Sequence, residues 1–211
     1  MRRRARNEDD KRKRRATLVA AALESFDEHA YEAVTMTSVA ERAGLGKGTL
    51  YLYFGTKEDL FLAVVEDRLG EWLGALNAWL GDRTGPVGPD ELSGFIASSL
   101  SSRSALVRLL AILHTTLEHN VGQERVREFK HFLLRGMEVT APLLEQRVPT
   151  LGAGGGTRFL LRLDALVIGL WHLADPAPPV CAVLDEPGME PFVVDFTVEL
   201  AAMVRALLAD R

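Results

Sequence analysis

TMTSVAERAGLGKGTLYLYFGTK, residues 35–57, is the stretch that decides the fold. Thr35 is an N-cap residue: its hydroxyl can accept from the open N–H groups of a first helical turn, and the residues behind it read as a short helix over 36–43. Gly44 stops that helix, because glycine enters the left-handed conformation at the least cost. Ala43-Gly44-Leu45 is therefore a tight turn that returns Leu45 to the core. A second short helix runs from Lys47 to Phe54, and Gly55-Thr56 breaks the chain again. Val39, Ala40, Leu45 and Leu50 are spaced to pack together, with Ala40 small where the helices approach. Two short helices joined by a glycine turn make a helix-turn-helix.

In the second of these helices Leu50 and Phe54, four apart, point inward. That leaves Lys47, Gly48, Thr49, Tyr51 and Tyr53 at its start and along one side, a surface that fits a DNA major groove. Its N-terminal N–H groups favour phosphate and Lys47 and Lys57 supply charge. The tyrosine hydroxyls can bond phosphate oxygens while their rings lie on sugar or thymine methyl, and Gly48 lets the backbone come close. Gly46-Lys47-Gly48-Thr49 is not a nucleotide loop. That pattern needs Gly where Glu41 stands and Ser or Thr where Gly48 stands.

Outward from this motif, apolar residues recur at three and four spacing and period-two alternation is rare, so the fold class is all-α. A first helix from about Lys11 to His29 carries Leu18, Ala22 and Phe26 on one stripe. After the motif, Thr56 caps a long helix whose stripe runs from Phe61 to Leu80, a rod of about 36 Å. Beyond the loop 81–89, helices are expected over 90–101, 104–119, 123–147, 157–173 and 190–209, with the proline-rich 175–191 as a loop. The expected domains are a helix-turn-helix domain over 11–55 and a larger helical domain over 56–211, to which the family resemblance described below assigns ligand binding and dimerisation.

Residues 1–10 read as a disordered basic arm. The first 15 residues hold nine Lys and Arg against Glu8, Asp9 and Asp10. The formal net charge of -4 hides that asymmetry, which suits docking on a polyanion. A composition of 47% apolar and 26% charged residues is that of an ordinary globule and argues against collagen-like or disordered polymers. The single Cys181 excludes an intrachain disulfide and a cysteine-based zinc or iron-sulfur site, and fits a reducing cytoplasm. The longest apolar stretch, Ala165 to Trp171, falls well short of the roughly 20 residues of a membrane span.

At these residues the chain resembles the TetR family of transcriptional regulators. The resemblance covers residues 14–62, through the Leu18, Ala22 and Phe26 stripe, Tyr31-Glu32-Ala33, Thr35, Val39-Ala40, Ala43-Gly44-Leu45, Gly48-Thr49-Leu50-Tyr51, Tyr53-Phe54 and Lys57-Glu58-Asp59-Leu60-Phe61. It implies an all-helical homodimer with an N-terminal DNA-binding domain and a divergent C-terminal domain that dimerises and binds an inducer. It also implies that Thr35, Lys47, Gly48, Thr49, Tyr51, Tyr53 and Lys57 line a palindromic operator, mostly at the backbone. Two positions depart from the family pattern. Gly46 removes a hydroxyl that often precedes the lysine, and Leu52 replaces a polar or aromatic residue between the tyrosines.

The C-terminal half gives architecture rather than identity. Its last two helices are apolar on more than one side, which calls for cover by a second subunit through Leu163, Leu166, Leu170, Phe192, Phe196, Leu200 and Met203. An apolar-walled inducer cavity would draw on His114, Thr115, Glu118, Phe129, Phe132, Arg135, Trp171 and His172. His114 and His119 are five apart and do not stack for a shared metal, so no metal or other cofactor is expected. No Gly-x-Ser-x-Gly elbow, His-Glu-x-x-His helix or dinucleotide fingerprint occurs, so no enzyme is expected. The alternative reading is an all-helical ligand-binding or interaction protein with a non-functional helix-turn-helix.

Overall fold

The computed structural model describes residues 2–209, with side chains from residue 8 on. Met1 and the side chains of 2–7, part of the basic arm, lie outside the described residues. Among the described residues the chain is helical, with no strand. The elements are α1 (Arg2–Glu28), α2 (Met36–Arg42), α3 (Lys47–Tyr51), α4 (Lys57–Gly81), α5 (Pro89–Ser101), α6 (Ser104–Ile112), α7 (Gln123–Arg147), α8 (Gly155–Ala174), α9 (Pro178–Leu184) and α10 (Phe196–Ala209).

Several boundaries differ from the sequence reading, among them the start of the last helix at Phe196 rather than 190 and the end of α3 at Tyr51 rather than Phe54, and three of the differences have a local reason. Helix α1 extends through residues 2–10, read above as disordered. No Gly or Pro interrupts 2–28, and the Arg, Lys and Ala that dominate it are good helix formers, so propensity carries the helix outward from its anchored stripe. The helix expected over 104–119 changes to a π-helical turn at Leu113–Leu117. Within 175–191, expected as a loop, Pro178 and Pro179 start the short α9, where a missing N–H costs nothing.

The chain folds as two compact units. The first contains everything up to Arg68 together with Leu113–Phe129. It is larger than the 11–55 expected from the motif. Leu60, Phe61, Leu62, Ala63, Val64 and Val65 are all buried in succession, and a helix buried at six consecutive positions is covered on every side. Phe61 is central: Phe26 and Tyr31 meet its ring edge-on at 5.6 and 5.0 Å.

The second unit contains Leu69–Ile112 and everything from Lys130 on. Helix α10 packs along α5 and α8, and α6 along α8. Within this unit α4 and α7 run side by side: Leu73 lies against Gly136, and Arg147 Nε donates to the Leu80 carbonyl at 3.1 Å. Trp72 is buried and donates its indole N–H to Ser99 Oγ at 3.0 Å. No single helix among the described residues is long and apolar enough to cross a membrane.

Candidate nucleic-acid interface

The motif is built by side chains that satisfy the ends of its helices. Thr35 Oγ1 accepts from the Ser38 amide at 3.0 Å, and Ser38 Oγ accepts from the Thr35 amide at 3.1 Å, a reciprocal cap on α2. Gly44 adopts φ +65°, and the chain reverses there so that the Leu45 amide bonds the Ala40 carbonyl at 2.9 Å. Arg42 holds the end of α2 to α1 through Glu28, whose carboxyl the guanidinium keeps below its ordinary range. Val39, Leu50 and Phe54 fill the interior at 1% exposure or less.

The other face of α3 is open. Lys47 and Gly48 are exposed, Thr49 and Tyr53 half-buried, and Tyr51 is 47% exposed. A side chain at Gly48 would meet nothing, so the fold itself does not require glycine there. Lys47 Nζ lies 5.9 Å from the centre of the Tyr51 ring, which groups the charge and the aromatic plane on one surface. Leu52, directly after α3, is 81% exposed, more than any other large apolar side chain described. Gly46 precedes the helix and supplies no side-chain cap.

Lys57 does not join this surface. Its ammonium bonds the Tyr31 carbonyl and sits 3.9 Å from the centre of the Tyr31 ring, and burial pulls its pKa below the ordinary value. Thr35 is exposed, but its hydroxyl serves the α2 cap. Of the seven residues expected at DNA, the structure gathers Lys47, Gly48, Thr49, Tyr51 and Tyr53 on or beside one short helix.

The eight residues expected around an inducer are divided between the two units. His114, Thr115, Glu118 and Phe129 belong to the first unit, and Phe132, Arg135, Trp171 and His172 to the second. His114 and Thr115 are exposed, with His114 Nδ1 3.1 Å from Glu118 Oε2 across the π turn, whereas Phe129 is fully buried. Phe132 and Trp171 are half-buried, the latter edge-on to Phe196 at 5.8 Å, while Arg135 and His172 are exposed. Among the residues expected at a dimer interface, Leu163, Leu170 and Leu200 are consumed by the core of their own unit. Leu166 and Phe196 are half-buried and Phe192 and Met203 exposed, and Leu166 and Met203 line a groove of about 510 Å³ with Ala206, Leu207 and Ala209.

Sequence reasoning missed Arg125, on α7. This side chain, 15% exposed, donates to Asp59 Oδ1 at 2.8 Å and Glu66 Oε1 at 2.7 Å. Burial opposes its charge, but the hydrogen bonds to Glu66 and Asp59 hold the guanidinium above its ordinary value. The only available signal was the seven-residue spacing of Asp59 and Glu66 on a helix that is otherwise apolar on that stretch.

A capped helix-turn-helix with an open second helix, carried on an all-helical chain, defines a DNA-binding regulator class. Residues 18–64 match the family model described as bacterial regulatory proteins, tetR family, and residues 66–209 match the tetracyclin repressor-like C-terminal domain. The chain belongs to the TetR family, a family of regulators and not of enzymes. It is 32% identical over 63 residues to the fatty acid metabolism regulator protein of Bacillus subtilis, covering 30% of this chain and 32% of that one. It is 34% identical over 69 residues to the HTH-type transcriptional regulator RutR of Escherichia coli, covering 33% and 32%. The aligned part is thus about a third of each of these relatives. Among solved structures, FadR from Bacillus subtilis in complex with stearoyl-CoA superimposes with a TM-score of 0.57 at 18% identity, over 92% of this chain and 97% of that one. The TetR family repressor AlkX from Dietzia sp. does so with a TM-score of 0.54 at 23% identity, over 92% and 96%.

Proposed function

We propose that the chain is a cytoplasmic transcriptional repressor that binds a palindromic operator as a homodimer and leaves it when a largely apolar small molecule occupies the second unit. The observation that carries this reading is the division of α3: Leu50 and Phe54 anchor it at 1% exposure or less, while Lys47, Gly48 and Tyr51 stand open on the other side. In a major groove Lys47 neutralises phosphate and Tyr51 and Tyr53 bond phosphate oxygens. Gly48 admits the backbone, and Leu52 has the exposure to lie on a thymine methyl. Lys57 works within the fold instead.

Homodimerisation is supported by the uncovered apolar parts of α8 and α10, Leu166 and Met203 among them, which a partner surface would cover. Two copies of α3 must stand about 34 Å apart to enter successive major grooves. Induction is a matter of differential affinity: a ligand releases DNA only by binding the DNA-incompetent spacing more tightly. Helices α4 and α7 each contribute residues to both units, which makes them the natural carriers of such a change. Phe132 and Trp171, half-buried aromatics of the second unit, are the wall residues this reading retains. The stearoyl-CoA in the Bacillus subtilis FadR structure makes a long-chain acyl thioester the first probe.

Selection of duplexes by the full chain from a random pool tests the reading. Enrichment of an inverted repeat with half-sites about ten base pairs apart is expected, together with a dimer by light scattering. A pool that stays random at low salt contradicts it.

A further inference from the structure

We infer that Arg125 is a positioning residue for the recognition helix α3, so that the first turn of α7 is a control point for DNA binding. The inference rests on α3 being the DNA-contacting helix.

One guanidinium starts two chains of contacts. Arg125 Nε bonds Asp59 Oδ1, and the other oxygen of that carboxylate accepts the Gly55 amide at 3.1 Å. Arg125 Nη1 bonds Glu66, whose second oxygen lies 3.8 Å from Arg15 Nη2, and the Arg15 guanidinium lies 5.2 Å from the centre of the Phe54 ring. Both chains therefore end just past α3, on the adjacent residues Phe54 and Gly55. Phe54 is 1% exposed and its amide bonds Leu50 in α3 at 3.0 Å, so its position sets the helix.

Stability is a poor reason for this arrangement. An ion pair drawn largely out of water is often no more stabilising than packed apolar groups of equal volume, and here, with the Arg125, Asp59 and Glu66 side chains 15–23% exposed, Arg125 Nη2 is buried without a hydrogen-bond partner. What the planar fork supplies is direction. It fixes Asp59 and Glu66, two turns apart on α4, relative to one plane borne by α7. Any rotation of α7 at Arg125 is passed to Gly55 through a single carboxylate. The same helix continues to Arg147 and carries Phe132 and Arg135 two to three turns beyond Arg125.

The test compares Arg125→Met, Arg125→Lys and the triple variant R125M/D59N/E66Q with the wild-type chain, using the duplex that the wild type enriches. Affinity is measured well below the unfolding transition, beside thermal midpoints and the exchange of the Phe54 and Gly55 amides in free protein. Arg125→Met is expected to weaken binding about tenfold or more. Arg125→Lys should not rescue it, since an ammonium cannot span both carboxylates in one plane. The triple variant, freed of unpaired carboxylates, should regain the thermal midpoint but not the affinity, and amide exchange should rise in all three. Wild-type affinity and exchange in Arg125→Met overturn the inference, as does recovery of affinity along with stability in the triple variant. A wild-type chain that enriches no duplex overturns instead the DNA-binding reading beneath it, and unchanged amide exchange then overturns the positioning role separately.

Discussion

The ammonium of Lys57 lies over the ring of Tyr31, 3.9 Å from its centre, and bonds the Tyr31 carbonyl. A lysine at the start of α4 is thereby committed to tying the α1–α2 connection to α4. Lys47, ten residues earlier, remains exposed at the start of α3. Two lysines that look equivalent in sequence thus have different work.

Their methionine variants should separate accordingly. Lys47→Met is expected to weaken duplex binding and to lower the slope of log affinity against log salt by about 1, as the loss of one phosphate contact does. Lys57→Met is expected to leave that slope unchanged and to lower the urea midpoint of the free protein. Equal slope changes for both, in titrations from low to moderate salt, would place Lys57 at the DNA after all.

Tyr31 makes the alkaline limb of stability diagnostic. Its hydroxyl donates to Glu58 Oε1 at 3.2 Å, and burial, reinforced by the Glu58 charge, pushes its pKa up from 10.0. The protonated phenol is favoured in the folded state. Its contribution is therefore complete below pH 10 and declines above it, as the unfolded tyrosine ionises and the folded one does not. Tyr31→Phe should cost about 1 kcal/mol at pH 8 for the lost hydrogen bond. In urea unfolding the gap to wild type should narrow from pH 10 upward, and a gap that stays constant would mean the phenol is not perturbed.

Gly156 marks a close approach of α8 to α7. A methyl group there would collide with the Ala141 carbonyl, and backbone cannot step aside as a side-chain tip can. Gly156→Ala is expected to destabilise the chain by about 1–3 kcal/mol or more. Gly48→Ala, which meets nothing within 4 Å, should be neutral or mildly stabilising for the free protein. Denaturant titrations of the two variants give the comparison, and equal midpoints would show that α8 can move off α7 at little cost.

Local rules made the head of the molecule legible. Thr35 as a cap, Gly44 as a left-handed stop and the four-residue spacing of Leu50 and Phe54 all act within a few residues of chain, and each sits where those rules put it. What escaped depends on contacts between distant segments. Arg125 lies 66 residues from Asp59, and nothing near it in sequence marks it as half-buried and paired. Its place at a helix start points Lys57 toward DNA in the sequence, whereas the Tyr31 ring and carbonyl hold its ammonium in the fold. A helix stripe gives a buried face without naming which unit buries it. Phe129 and Phe132 show this best: three residues apart on α7, they belong to different units.

The affinity of a dimer carrying Tyr51→Ala for the selected duplex, at matched salt, tests the outward face of α3 most directly. Tyr51 is 47% exposed and neither caps a helix nor fills the core, so its loss should leave thermal midpoint and dimer mass unchanged. Binding should fall by about tenfold or more, with the loss appearing at the half-sites of the footprint. Undiminished affinity at the same footprint would contradict the assignment of α3 as the helix that reads DNA.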